Sequence, residues 1–240
     1  MKTKRRLAAA AAVLLLLGIV VLWVDVHCFC RAFYRREYQK LNTAQSIGMT
    51  EQGLRQTTEA LLAYLRGERE DLSLSVPIDG QEREVFNARE KAHMADVKTL
   101  YIRARWLGYG SLLLGAAGIV FLLVTSRGAV RREVLGGYLR GNLWFFVVLA
   151  AIGLFAAIDF DAFWTGFHKL VFTNDLWLLD PRTDILIEIV PEKFFFDLVI
   201  RIAASALATI GALWAAAFGW RKILEKRMVN GQDADAGTAE

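Results

Sequence analysis

The sequence is poor in cysteine and histidine, and it carries no familiar nucleophile motif. Its two cysteines, Cys28 and Cys30, stand one residue apart. A bridge across so short a loop would be strained, so no disulfide framework is expected. Neither belongs to a C-x-x-C metal pattern, and both read as small residues at a helix end. No G-x-S-x-G elbow and no glycine-rich phosphate loop is present. Charge of one sign is also lacking: the net formal charge is +4 over 240 residues. No run of basic and aromatic residues tracks a polymer, which excludes nucleic acid as a partner. The two halves share no motif, so no internal repeat is read.

What the chain has in quantity is apolar sequence, 55% of the total, gathered into four long runs. The first extends from about Leu7 to Val24. Eighteen helical residues span about 27 Å, close to the roughly 30 Å hydrocarbon core of a bilayer. It starts like a signal peptide, after Lys2, Lys4, Arg5 and Arg6. It leads, however, into Trp23, Asp25, His27, Phe29 and Arg31 rather than a small-residue cleavage site, so a retained anchor is expected. The other runs are Leu107 to Thr125, Leu143 to Ile158 and Leu198 to Trp220. The expected fold class is an all-α membrane protein, with four transmembrane helices and an extracytoplasmic, interfacial cap of amphipathic helices. Its expected divisions are 1–24, 25–106, 107–125, 126–142, 143–158, 159–197, 198–220 and 221–240.

Basic clusters flank the N-terminus, the 126–142 loop (Arg127, Arg131, Arg132, Arg140) and the C-terminal tail (Arg221, Lys222, Lys226, Arg227). In a four-span topology these segments share one side, and the positive-inside rule makes that side cytoplasmic. Residues 25–106 and 159–197 are then outside. Arg201 stands alone within the fourth run, as a snorkelling or a working group. The polar tail from Asn230 to Glu240 is expected to be disordered.

In the first outer segment, Leu54, Leu61, Leu62 and Leu65 form a stripe that predicts an amphipathic helix over Glu51 to Arg66. Leu72, Leu74, Val76 and Ile78 alternate with polar residues and predict an extended stretch ending at Asp79-Gly80. Glu82 to Arg105 reads as helix. The second outer segment is acidic and rich in aromatic rings, including Phe160, Trp164, Phe167, Phe172, Trp177 and Phe194 to Phe196. An interfacial aromatic belt is one reading. The acidic neighbours favour a cap that binds lipid. Pro191 is expected to open the fourth helix.

All three histidines, His27, His93 and His168, fall on the outer side. A neutral imidazole is the common proton shuttle near pH 7. Glu90, His93 and Asp96 follow at intervals of three and share a helix face, so a carboxylate can orient the ring; a solvated charged face is the plainer alternative. Glu-x-x-His also supplies di-metal ligands in bundles, but such sites use two copies and one is present; no metal or other cofactor is expected. Asn174 can donate to an oxyanion, and Asp180-Pro181 reads as a turn. His93 precedes Trp106 by 13 residues, about 20 Å on a straight helix, so the helix is expected to bend along the surface.

The blocks His93-Met94-Ala95-Asp96-Val97-Lys98, Phe167 to Pro181 (FHKLVFTNDLWLLDP) and Pro191-Glu192-Lys193-Phe194-Phe195 resemble the lipoprotein intramolecular transacylase family, Lit. The resemblance covers nearly the whole chain. It implies an enzyme of the bacterial cytoplasmic membrane, both termini cytoplasmic and the active site on the outer face. It implies intramolecular O-to-N acyl transfer, in which the sn-2 acyl chain of a diacylglyceryl-cysteine passes to that residue's α-amine and leaves the N-acyl lyso form. Diacylglyceryl-modified lipoproteins and membrane lipid are the implied partners. Under this resemblance His93 and His168 share the base and acid roles. Asp96 orients one imidazole, Lys98 or Asn174 lies near the oxyanion, and Trp177 and Asp180 help position substrate. A membrane esterase and a non-catalytic sensor or assembly protein are the alternatives. A transporter is disfavoured by the lack of repeats and mid-helix carboxylates.

Overall fold

The computed structural model describes the backbone of residues 1–236 and side chains as far as Met228. The elements in chain order are α1 (Lys2–Cys28), α2 (Arg31–Leu41), α3 (Thr43–Ser46), α4 (Glu51–Arg66), β1 (Ser75–Ile78), β2 (Gln81–Glu84), α5 (Ala88–Val124), α6 (Gly128–Ile158), α7 (Phe160–Val171), α8 (Ile185–Ile189) and α9 (Glu192–Ala236). Helices α1, α5, α6 and α9 are long and apolar enough to cross a membrane. The chain forms two compact units. One comprises Met1–Trp23, Leu107–Gly153 and the chain from Ile202 onward; the other comprises Val24–Trp106 and Leu154–Arg201.

The first unit is built on small residues. A Cβ added at Gly115 would fall 2.7 Å from the Ala11 carbonyl oxygen, and one at Gly141 would fall 2.7 Å from that of Ala9. Backbones of α1, α5 and α6 therefore approach closely, as small residues permit where apolar burial gives little driving force. Leu16, Ile19 and Ile210 are buried together, and Ala12 packs with Tyr138 and Leu139. The orphan carbonyls ending α5 are met by cations. Lys4 Nζ donates to the Thr125 carbonyl at 3.4 Å and to the Ser126 hydroxyl at 3.1 Å, and Arg131 Nε donates to the Leu123 and Ser126 carbonyls at 3.1 and 3.0 Å. This is the usual remedy for a helix C-terminus. The segment 126–142, expected as a loop, is helical from Gly128. Val134, Leu135, Tyr138 and Leu139 make an apolar stripe between its arginines and are buried.

In the second unit α4 occupies the span its leucine stripe predicts. Thr50 caps it, its hydroxyl accepting from Gly53 N at 3.0 Å, and Gly67 ends it in the left-handed region. The extended stretch is β1, which turns through Asp79 (φ 52°) and Gly80 (φ 77°) into antiparallel β2. Two successive positive φ values define the tight hairpin turn that Asp-Gly favours. The predicted helix over Glu82 to Arg105 begins only at Ala88. From there α5 continues without a break to Val124; no proline interrupts this stretch. Pro191 directly precedes α9, its carbonyl accepting from Phe194 N at 2.9 Å. Helix α9 persists to Ala236, beyond the expected onset of disorder at Asn230, and residues 237–240 lie outside the described residues.

Candidate active site

Helix α7 is amphipathic and is capped by Asp159, whose Oδ1 accepts from Ala162 N at 3.0 Å. Trp164, Phe167 and His168 follow at intervals of three and four and so share a face. His168 Nδ1 lies 2.8 Å from the Trp164 carbonyl oxygen. A carbonyl only accepts, so Nδ1 carries the proton of the neutral ring and Nε2 carries the lone pair.

His93, on the second turn of α5, faces His168 with ring centroids 6.1 Å apart. Each histidine is 7% exposed. Phe172 packs against both rings, at 5.3 and 5.7 Å. Trp164 meets His168 edge-on at 4.8 Å, Trp177 lies over it at 5.0 Å, and Phe195 backs Trp164 at 4.3 Å. His93 Nδ1 is buried without a hydrogen-bond partner among the described residues. Burial lowers the His93 pKa to about 4, helped by the like charge of His168 and opposed by Asp96. Burial also lowers that of His168, against the effect of the Trp164 carbonyl. Both rings are therefore neutral at pH 7.

The irregular segment between α7 and α8 is fastened to α5 by polar contacts. Asn174 Nδ2 donates to Asp96 Oδ2 at 2.9 Å, while its Oδ1 accepts from Leu176 N at 3.1 Å. Arg89 donates to the Asp175 carbonyl. At the start of α5, Asn87 Oδ1 accepts from Glu90 N at 3.0 Å and Glu90 Oε2 accepts from Asn87 N at 2.6 Å. This is a reciprocal capping box. The other oxygen of Glu90 accepts from Leu186 N at 2.6 Å, and Asn87 Nδ2 donates to Asp184 Oδ1 at 2.7 Å. Glu90, 1% exposed, thus joins the first turn of α5 to that of α8. Burial raises its pKa, and these backbone donors oppose the rise.

The expected residues separate accordingly. His93, His168, Asn174, Trp177 and Asp96 come together. Asp96 hydrogen-bonds the Asn174 amide rather than an imidazole and reaches His93 only through space. Lys98 is engaged elsewhere: its Nζ donates to the Arg69 carbonyl at 3.1 Å and sits 4.1 Å over the Tyr64 ring. Asp180 forms the expected turn, pairing with Arg182 and accepting at its carbonyl from Asp184 N at 2.8 Å. His27, at the end of α1, has its pKa lowered by burial and then by Arg201. Asn87, Glu90, Asp184 and Phe172 were not anticipated in these roles. Only the Asn-x-x-Glu spacing offered a signal, as a helix start. Among the described residues, no group of three His, Cys, Asp or Glu side chains converges as metal ligands.

Residues 9–195 match the family model described as lipoprotein intramolecular transacylase Lit. The chain belongs to that family. A solved structure of the membrane integral transacylase Lit from Bacillus cereus superposes with a TM-score of 0.76 at 22% identity, covering 95% of this chain and 99% of the other. Two variants of that protein, with one histidine replaced by arginine or by alanine, each match with a TM-score of 0.72 at 21% identity. The arginine variant's match covers 96% of this chain and 95% of that one; the alanine variant's covers 95% and 96%. No individual curated protein sequence matches. The transacylase is therefore a multi-pass, all-α membrane enzyme, an acyltransferase whose substrates are lipoproteins.

Proposed function

We propose that the enzyme moves the sn-2 acyl chain of a diacylglyceryl-cysteine to the α-amine of the same residue, at the outer face of the bacterial cytoplasmic membrane. The observation that carries this reading is the pair of buried, neutral imidazoles, one of which has its tautomer fixed by the Trp164 carbonyl. Ester and nucleophile both belong to the substrate, so the protein must supply proton transfer, oxyanion stabilisation and positioning.

The α-amine has a pKa near 8 in water. As its nitrogen attacks the sn-2 carbonyl carbon, His168 Nε2 accepts a proton from it. The carbonyl oxygen becomes an oxyanion. Asn174 Nδ2 has two hydrogens, one held by Asp96, and the other donates to that oxyanion. Collapse breaks the bond to the glycerol oxygen, which takes up a proton through the histidine pair. One N–H proton has then moved to oxygen, and the products are an amide and an alcohol. The partnerless Nδ1 of His93 supports a role toward substrate. A buried polar atom left unpaired costs about 1–3 kcal/mol, which a substrate hydrogen bond would relieve. Holding amine against ester as a near-attack pair contributes roughly 7–11 kcal/mol more.

Tandem mass spectrometry of a lipoprotein N-terminal peptide, from a bacterium whose lipoproteins stop at the diacylglyceryl stage, tests the reaction. Transfer conserves the intact mass, so fragment ions decide. Expression of the enzyme should yield fragments with one acyl chain on the α-amine. Free fatty acid with an unacylated amine would identify an esterase instead.

A further inference from the structure

A cavity of about 920 Å³ lies between α2 and α4 and is lined by none of the residues assigned to acyl transfer. Arg31 and Arg35 enter it from α2, one turn apart on one face. Glu51, Arg55 and Glu59 enter it from α4 with the same spacing. The two walls are joined by the Tyr38 hydroxyl and Thr58 Oγ1, 2.9 Å apart. All three arginines are exposed, and none forms an ion pair among the described residues, although two carboxylates line the same cavity. Convergent unpaired guanidiniums repel one another unless an anion lies among them, and their planar forks match phosphate oxygens.

The chain path says where that anion resides. Helix α1 ends at Cys28, and Arg31 follows three residues later. A helix that begins so soon after a span and carries Arg31, Arg35, Arg36 and Lys40 lies at the level of lipid headgroups. We infer that the α2–α4 cavity binds a membrane phospholipid by its phosphodiester, with Arg31, Arg35 and Arg55 on the phosphate and Glu51 and Glu59 accepting from hydroxyl or ammonium groups beyond it.

The substrate diacylglyceryl group is joined through a thioether and has no phosphate, so this site is separate from the substrate's. It is still connected to the histidines. Tyr34 and Tyr38, which line the cavity, pack on Phe194 at 5.0 and 6.2 Å. The next residue, Phe195, backs Trp164, which touches His168. A seated headgroup steadies the wall against which His168 rests.

Native mass spectrometry of the full chain in nonionic detergent tests the site without relying on acyl transfer. The added probes are dioleoyl phosphatidylglycerol, dioleoyl phosphatidylethanolamine, dioleoylglycerol and inorganic phosphate. The wild-type protein should retain either phospholipid far better than dioleoylglycerol. The relative retention of the two phospholipids identifies the group facing Glu51 and Glu59. The triple variant R31Q/R35Q/R55Q should bind them on the order of 100-fold more weakly, at several-fold for each arginine. The R83Q/R103Q/R127Q variant, with the same charge change outside the cavity and outside α2, should bind as the wild type does. Equal retention of dioleoylglycerol by the wild-type protein would overturn the proposal, whatever the folding of the variants. Unaltered binding by the first triple variant would do the same. Inorganic phosphate binding as tightly as the lipids would make this a free-phosphate site and contradict the lipid assignment.

Discussion

At the scale of single residues, the site depends on imidazoles that stay neutral in an apolar enclosure. Their depressed pKa values have a testable sign. An unfolded histidine takes up a proton near pH 6.5. The folded protein resists this until lower pH, so below 6.5 the unfolded state binds more protons. Stability contributed by the neutral rings is therefore lost progressively as pH falls from about 6.5. With only three histidines in the chain, ring NMR resolves each titration. His93 should titrate near pH 4 and His168 below 6.5; a midpoint for His93 at or above 6.5 would remove the burial argument. The amide of Asn174 makes a separate prediction. Asn174→Ala should lower the turnover rate by about 10²–10³-fold, the usual effect of losing one oxyanion donor, with KM little changed. A rise in KM at unchanged turnover would make it a ground-state contact. Sequence identified the histidines because neutral proton shuttles are few. It could not pair Asp96 with Asn174, 78 residues away, because local spacing placed Asp96 on the His93 face.

At the scale of elements, Glu90 decides how the irregular segment after α7 is held. Its carboxylate accepts backbone donors at two helix starts, and no other residue type combines that length with two acceptor oxygens; aspartate is one methylene shorter. Glu90→Ala should destabilise the protein by roughly 1–3 kcal/mol and raise hydrogen exchange across residues 172–189. Exchange unchanged in that segment would show that it is fixed by other contacts. Period and punctuation made several elements legible: the leucine stripe gave α4, and Asp79-Gly80 marked the end of β1. The start of α6 was hidden because arginines interleave the apolar stripe of residues 128–142, and charge there reads equally well as a loop. The extent of α5 was misjudged at its start, where Asn87 caps the helix after β2.

At the scale of the whole molecule, four apolar runs fixed the number of spanning helices, and family membership agrees with the architecture they imply. The proposed orientation rests on basic clusters. Lys4 meeting Ser126 supports it by joining the N-terminal cluster to the α5–α6 turn within one unit. A reporter active only in the cytoplasm should work when fused after the C-terminus and fail when inserted at Asp79-Gly80; the reverse pattern would invert the topology. The α2–α4 cavity was not visible in sequence because its arginines come from two separate helices that line it together only in the folded chain.

The central claim is that His93 and His168 together carry a proton from amine to glycerol oxygen. The most direct measurement is the rate at which N-acyl fragment ions accumulate on a diacylglyceryl-cysteine peptide, with the full chain reconstituted in lipid. His93→Ala and His168→Ala should each slow that rate by about 10²–10⁴-fold, as loss of a general acid or base does, while the protein stays folded and inserted. Either variant transferring the acyl chain at the wild-type rate would contradict the claim.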